Sequence, residues 1–561
     1  MDNYQIADFF SLLGKIMDIH QENSFKAKSY SIAAYHIEKI TLPLKDMARE
    51  KISTLPGIGE STGKKIIEIL DTGKLTALDD ILMKTPPGII EMMQIKGIGP
   101  KKISVIWKEM EIESIGELLY ACEENRLKRF KGFGEKTQQL IIESIEFYKT
   151  NQGIFLYPQV EAVEPQVTAY LQKLFGEANV FLTGSFIRQL EIIEELEYLI
   201  NRMPADIKPA FETANPPQLL EEKPDSVLYQ LHNGLKLRLY TGTDNPGQSL
   251  FQHSASTAFY EAFLEQFPGI IYSKTLNADD SAIFREANIS FIPVCLRESA
   301  STIDLAKKGP LPVLIEPTDI RGIIHSHSNW SDGSNTLEEM AKEAKEKGFE
   351  YLVISDHSKS AFYAQGLSEE KILAQHQYIN ELNATLGEFR IFKSIESDIL
   401  NDGSLDYSND VLASFDLVIA SVHSNLNMPL EKAMPRLIRA IENPYTTILG
   451  HMTGRLLLSR KGYPVDHKKI IDACAANQVA IELNAHPSRL DIDWRQIDYA
   501  LEKQVLISIN PDAHQLSGFH DTYYGVLAAR KALVTKEQNL SSFSLAAFEK
   551  YLQQRKSLKG I

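Results

Sequence analysis

From about residue 320 onward the chain repeats one pattern seven times. A short apolar run reads as a strand and an amphipathic helix follows; at or just past the end of all but one of these strands sits a carboxylate or imidazole. The predicted strands are 322–328, 351–356, 390–396, 417–423, 446–450, 479–483 and 505–510, with helices such as 336–347 and 369–386 between them. Strand–helix alternation implies parallel strands. Seven such units in about 240 residues point to a barrel rather than a small open sheet. The residues at or just past the strand ends are His325, His327, Asp332, His357, Glu396, His423, His451, Asp512 and His514. In a barrel of this kind, side chains at the C-terminal strand ends converge on one face.

Nine such groups in one place would repel or strand buried nitrogens without cations among them. His325 and His327 are spaced i, i+2 and are expected to share one face of a strand, as are Asp512 and His514. Of the adjacent Asp356 and His357, His357 is taken as the inward residue. Mixed imidazole and carboxylate donors suit manganese, zinc or iron better than magnesium or calcium. So many donors imply two or three ions, with a carboxylate such as Glu396 able to bridge them. Such a centre activates water and clamps phosphoryl oxygens. A single strand-end histidine is usually a structural residue. Here six of the chain's 14 histidines occupy the pattern, and His376, His467, His486 and His520 fall outside it.

Residues 1–150 read as all-helical, with apolar positions at three- and four-residue spacing. A turn recurs three times: Leu55-Pro56-Gly57-Ile58-Gly59, Ile95-Lys96-Gly97-Ile98-Gly99 and Phe130-Lys131-Gly132-Phe133-Gly134, each followed by a helix. Glycines at a helix N-terminus expose backbone N–H groups, which suit phosphate. The same turn also caps ordinary helices. Net charge is −15, which argues against DNA binding over the whole surface. Residues 1–150 hold 21 Lys+Arg and 22 Asp+Glu, so the acidic excess lies in the remainder. No apolar run approaches the length of a membrane span. The N-terminus carries no secretory pattern, and three scattered cysteines form no motif. A cytoplasmic monomer is expected.

Residues 151–317 read as mixed. Strands are predicted at 180–185, 197–200 and 235–240, with proline-rich loops near 204–224 and 310–317.

The segments His325-Ser326-His327 through Asp332, Asp356-His357, Glu396-Ser397-Asp398, Ser421-Val422-His423, Gly450-His451 and Asp512-Ala513-His514 together resemble the polymerase-and-histidinol-phosphatase (PHP) domain. The resemblance implies a distorted (β/α)7 barrel, a trinuclear site and phosphoester hydrolysis. By it, His325, His327, Glu396 and Asp512 surround one ion and form the catalytic group. Glu396, His423 and His451 hold a second, and Asp332, His357 and His514 a third. Lys359, Arg455 and Arg489 lie near these segments and are candidates for substrate phosphate or for solvated surface charge. The glycine turns resemble helix-hairpin-helix motifs, so Gly57, Gly59, Gly97, Gly99, Gly132 and Gly134 are DNA-backbone candidates, read without sequence preference.

Together these parts resemble bacterial family X DNA polymerases over the whole chain. The implied division is a DNA-binding domain at 1–80, fingers at 81–150, a palm at 151–240, a thumb and linker at 241–317, and the PHP domain at 318–561. Gly184-Ser185, with Arg188, resembles the palm's nucleotide-phosphate motif. The palm carboxylates depart from the family pattern. Glu195 and Glu197 stand where two aspartates are usual, and Lys236 stands at the third position. Gln252-His253-Ser254-Ala255-Ser256 also replaces the usual thumb-side turn. Two-metal nucleotidyl transfer needs carboxylates that hold magnesium at near-ideal geometry, so a magnesium pair is not expected here. Lys65 falls on the position of the family's Schiff-base lysine, where an electrostatic contact is the plainer role. The leading expectation is a metal-dependent 3'-5' exonuclease or DNA-end-processing enzyme for DNA repair. The rivals are a working gap-filling polymerase with a nuclease attached, and a non-catalytic DNA-binding scaffold.

Overall fold

A computed structural model describes the chain except residues 124–126, 128–129, 131, 151–152, 212–215, 242–245, 271–279, 362–363 and 459–460. Lys131 of the third glycine turn thus lies outside the described residues, as do four residues of the proline-rich stretch 204–224. The chain forms two compact units, Met1–Gln152 and Gly153–Ile561.

The first unit is helical. Helix Asn3–Ile19 starts with a capping box, in which Asp2 and Gln5 each accept a hydrogen bond from the other's backbone N–H, at 2.8 and 2.9 Å. Its buried Ile6, Phe10, Leu13 and Met17 recur at helical spacing and pack with Tyr30, Ile37, Ile52 and Ile66 in one core. A second core gathers Ile89, Met92, Ile103, Trp107, Leu118 and Ile145. The three glycine turns lead into helices Glu60–Thr72, Pro100–Lys108 and Glu135–Thr150.

The second unit contains a five-stranded mixed sheet and a seven-stranded parallel one. In the mixed sheet the order is Val180–Thr183, Glu195–Ile200, Lys236–Thr241, Ser226–Gln230, Gln218–Lys223. Two expectations change here. The chain turns helical at Gly184, so the strand ends before the Gly184-Ser185 pair. The stretch 204–224 is not simply loop, since it holds helix Pro204–Ala210 and strand Gln218–Lys223. Proline at a helix start is compatible with the orphaned first-turn N–H, and Gln218–Lys223 lies at the sheet edge. Next to the sheet, Phe251, Phe259, Phe263 and Phe284 form an aromatic core. Fully buried Arg297 lies over Phe251 and Phe284 and pairs with Asp280.

The parallel sheet runs in chain order: β1 Gly322–Ser326, β2 Tyr351–Ile354, β3 Arg390–Asp398, β4 Leu417–Ser421, β5 Thr446–Leu449, β6 Ala480–Asn484 and β7 Ile507–Asn510. Strands such as Tyr351–Ile354 are buried along their whole length, which is why they read as continuous apolar runs. Between β1 and β2, helix Leu337–Glu346 starts with a Thr336–Glu339 capping box. The sheet nearly closes. Just beyond β7, Ala513 bridges Ser326, and His327 N–H donates to the Ala513 carbonyl at 2.8 Å. This is the distorted seven-stranded barrel expected from the sequence.

Candidate metal centre

Closure of the barrel brings all nine strand-end residues to one rim. Glu396, near the end of β3 and buried, lies at the middle. Its Oε1 is 3.2 Å from His325 Nε2, 3.2 Å from His423 Nε2 and 2.9 Å from His451 Nε2. Its Oε2 is 3.0 Å from His357 Nδ1 and 3.6 Å from His327 Nε2. Asp512 Oδ1 lies 3.0 Å from His327 Nε2 and 3.5 Å from His325 Nε2. Asp332 reaches from the loop after β1 to within 3.6 Å of His357 and 3.5 Å of His514.

The donor atoms fall into three overlapping sets, each with ligand atoms within 4.8 Å of one another: His325, His327 and Asp512; His357, Glu396 and His423; and His327, Asp332, His357 and His514. The expected apportioning differs in detail, because His327 joins two sets and His357 also faces Glu396. Several buried atoms here have no hydrogen-bond partner among the described residues, including His325 Nε2, His327 Nδ1, His451 Nδ1 and Glu396 Oε2. Buried polar atoms are otherwise nearly always bonded. Those that face the rim, such as His325 Nε2 and Glu396 Oε2, fit divalent cations. Burial opposes charge on His325, His423 and His514, yet the neighbouring carboxylates raise all three, while other groups of the set shift toward their ligating form. Burial, with His514 and His357 beside it, pushes His327 down to about 3, so its ring is neutral and free to ligate. Burial works against Asp332, yet the His514 hydrogen bond and neighbouring imidazoles pull its carboxyl down to about 2. Burial likewise opposes ionisation of Glu396, but His423, His325 and His357 hold it well below its usual range.

The convergence of His325 and His327 does not come from strand pleating. His325 has φ +65°, and the β1–β2 register shifts between Ile323 and Ser326. Asp512 has φ +52°. A left-handed residue costs about 1 to 3 kcal/mol and persists where surrounding structure over-determines it. A bulge of this kind re-aims a side chain next to a site. The pair that the i, i+2 spacing singled out thus comes together for a different geometric reason.

Sequence reasoning passed over the groups behind the ligands. Glu482 on β6 is fully buried. Its carboxylate takes the His325 Nδ1 hydrogen at 2.5 Å, the His451 backbone N–H at 2.7 Å and Asn510 Nδ2 at 2.8 Å. This leaves His325 Nε2 facing the donors, the arrangement by which an outer carboxylate fixes a ligand's tautomer. Asp398 does the same for His423 Nδ1, and Asn484 donates to Asp512 Oδ2 at 3.1 Å. Asp356 holds the loop carrying Asp332 through Ser328 and Ser331, at 2.7 and 2.6 Å. A signal for Glu482 was present: an acid in the middle of an otherwise apolar strand, at whose end no ligand had been assigned.

The three candidate phosphate contacts separate. Arg489 Nε lies 3.9 Å from Asp512 Oδ2. Arg455 is instead engaged, donating to Asp493 at 2.5 Å and to the Arg489 carbonyl at 3.0 Å. Lys359 pairs with Glu369 at 2.7 Å on the surface.

In the mixed sheet, Glu195 sits opposite Lys236, and Glu197 opposite Arg238. Arg238 grips both oxygens of Glu195, at 2.5 and 3.0 Å. Glu197 accepts from Ser185 N–H at 3.0 Å and from the Tyr240 hydroxyl at 2.9 Å. Burial raises its pKa. Arg188 pairs with Glu298 at 3.1 Å. His253, of the altered turn, stacks on Tyr240 with ring centres 3.5 Å apart. All groups of metal-ligand type found among the described residues lie in the barrel.

The glycine turns have one common shape. Gly57, Gly97 and Gly132 take φ of +79°, +85° and +93°, which only glycine adopts freely. Ile58, Ile98 and Phe133 between the glycines are buried, while both glycines of each turn are exposed. Gly59 and Gly99 occupy the N-cap positions of their helices. Lys65 is half-buried on the helix after the first turn. No helix among the described residues is long and apolar enough to cross a membrane.

The chain matches three family models: a helix-hairpin-helix domain at residues 1–75, a SAM-like helix-hairpin-helix tandem at 89–146, and a PHP domain at 324–486. It is 30% identical over 588 aligned residues to the DNA polymerase/3'-5' exonuclease PolX of Bacillus subtilis (strain 168), covering 99% of this chain and 100% of that one. Over 169 residues it is 30% identical to a probable phosphatase of Acetivibrio thermocellus, covering 29% of this chain and 64% of the relative. A probable phosphatase of Thermoanaerobacter sp. (strain X514) is 25% identical over 250 residues, covering 42% of this chain and 96% of the relative.

Proposed function

Since the chain belongs to the bacterial PolX family, we propose that it is a metal-dependent DNA phosphoesterase that removes nucleotides from DNA 3' ends in repair. The observation that carries this reading is the convergence of nine donor residues, Glu396 among them at the middle, in a chain whose helical unit bears three exposed glycine turns.

Two or three divalent ions, manganese or zinc or iron, would be held by His325, His327, Asp332, His357, Glu396, His423, His451, Asp512 and His514. Bound there, such ions lower the pKa of water and neutralise phosphoryl oxygens. His325, His327, Glu396 and Asp512 form the catalytic group. Glu482 and Asp398 keep His325 and His423 in the ligating tautomer. Arg489 receives the phosphate at the rim. Gly57, Gly59, Gly97, Gly99, Gly132 and Gly134 present backbone N–H groups to DNA phosphates without reading bases, and Lys65 adds a charge beside the first turn. We assign 1–80 and 81–150 to DNA-binding and fingers-like regions, 151–240 to a palm, 241–317 to a thumb-like region, and 318–561 to the phosphoesterase.

A working gap-filling polymerase is the second reading, since the Bacillus subtilis relative is named for both activities. The palm geometry weighs against it. Arg238 and Lys236 bring positive charge to the position magnesium would need, and Glu195 is already neutralised. Manganese-dependent nucleotide release from a 3'-labelled gapped duplex, abolished by chelator, tests the proposal. Absence of release across manganese, zinc and iron would overturn it.

A further inference from the structure

The middle region and the barrel meet along one face within the second unit, and a chain of charged contacts runs from that face to the metal rim. Glu191 lies in the turn between helix Gly184–Ile187 and the strand beginning at Ile192, and is buried. It accepts Arg495 Nη1 at 2.6 Å and Trp494 Nε1 at 3.1 Å. Arg495 also holds Asp493, through its backbone N–H at 2.9 Å and its guanidinium at 3.0 Å. Asp493 receives Arg455 at 2.5 Å, and Arg455 donates on to the carbonyls of Arg489 and Leu490. Arg489 is the residue whose side chain reaches Asp512. The same face is closed by Tyr523 and Tyr524, each donating to Glu161 at 3.1 Å. Lys531 joins it, bonded to the Arg188 carbonyl at 2.8 Å and to Glu298 at 2.9 Å.

These contacts are charge-assisted, and Glu191, Asp493 and Arg455 are largely withdrawn from water, so each restricts its neighbour. Arg455 and Asp493 hold the 489–490 carbonyls, and Arg495 restrains Asp493 from its other side. The anchor of Arg495, Glu191, belongs to the region whose polymerase carboxylates are altered.

We propose that Glu191 is a positioning residue for the barrel: through Arg495, Asp493 and Arg455 it fixes the loop that aims Arg489 at the phosphate of a bound 3' nucleotide. This rests on the phosphoesterase reading of the rim. It gives the altered palm a task independent of nucleotidyl transfer.

The test uses the full chain loaded with manganese and dTMP as the probe. Glu191→Gln and Arg495→Met should weaken dTMP binding about tenfold, as Arg489→Ala should, with manganese content unchanged. On a 3'-ended oligonucleotide the loss should fall on KM and leave kcat near that of the unsubstituted protein. Arg495→Lys, which keeps the charge, should recover most of the binding. Arg495 is half-exposed, so its variants keep the test open if Glu191→Gln fails to fold. Unchanged dTMP affinity in both Glu191→Gln and Arg495→Met would overturn the proposal, as would a parallel loss of manganese. Failure of the unsubstituted protein to bind dTMP would overturn it too. If that protein binds dTMP but releases no nucleotide from DNA, the nuclease reading fails while the dTMP shifts still decide the role of Glu191.

Discussion

Replacing Gly59 and Gly99 with alanine should separate DNA binding from folding. Both glycines have ordinary backbone angles, φ −80° and −84°, and a Cβ built on either meets no atom within 4 Å. Alanine at such positions gains roughly 0.4 to 1 kcal/mol by restricting the unfolded chain. It is a poorer N-cap than glycine by a similar few tenths to ~1 kcal/mol. The two effects nearly cancel, so the melting midpoint should stay within a few degrees. Gly57 is unsuitable, because its φ is +79° and its Cβ would lie 2.4 Å from the His36 ring. On the proposed phosphate role, the added methyl groups would stand where DNA phosphate approaches the helix N-terminus. A hydrogen bond to a charged group is worth about 1.5 to 3 kcal/mol, so each turn should cost about tenfold and the double variant about a hundredfold. The assay is fluorescence anisotropy of a labelled gapped duplex from about 50 to 200 mM salt. The substitutions remove no cation, so the salt slope should be unchanged and the plots parallel. Lys65→Ala should instead flatten the slope by about 0.9. Full DNA affinity in the folded double variant would refute the phosphate role of the turns.

Substituting His325 and His327 together with alanine should strip at least one ion, read by metal analysis, and abolish nuclease activity; full activity would sink the metal assignment. Templated extension of a gapped primer should be absent or very weak even at high magnesium. If Glu195→Asp, Glu197→Asp and Lys236→Asp together restore extension, only the ligands of the palm were lost; robust extension by the unsubstituted chain would refute the altered-palm reading. Stability should fall with acid through His376, which is buried edge-on against Phe415. Burial, with Lys393 nearby, lowers its pKa to about 4. The unfolded chain therefore binds the proton more readily, and the stability present above about pH 6.5 is lost as pH falls toward 4. Discounted for partial solvent access, the loss is on the order of 2 kcal/mol. Between about pH 6.5 and 4 the urea midpoint of the unsubstituted protein should fall relative to that of His376→Leu, which has no such proton to bind; a constant difference would show that His376 does not titrate this way.

The barrel was legible in the sequence because its strands are buried on both faces, which forces continuous apolar runs between amphipathic helices. The candidate ligands were legible because polar residues at the ends of such runs are conspicuous. The glycine turns announced themselves by repetition, with an apolar residue buried between two exposed glycines each time. The hairpin Gln218–Lys223 and Ser226–Gln230 was not found. Its edge strand is largely exposed and lies in a proline-rich stretch, so its pattern is weak.

Chain order by itself determined which residue types reach the rim, since a strand end is a local property. Only the tertiary structure decided how they meet. The left-handed turns at His325 and Asp512 depend on the closing contact between Ser326 and Ala513, almost 190 positions apart. The support from Glu482 to His325 crosses the barrel, and the engagement of Arg238 with Glu195 spans two strands. Hydrogen bonds and ion pairs of that kind act over about 3 Å of space, whatever the separation along the chain. Spacing in the sequence therefore named the donors, and folding selected their partners.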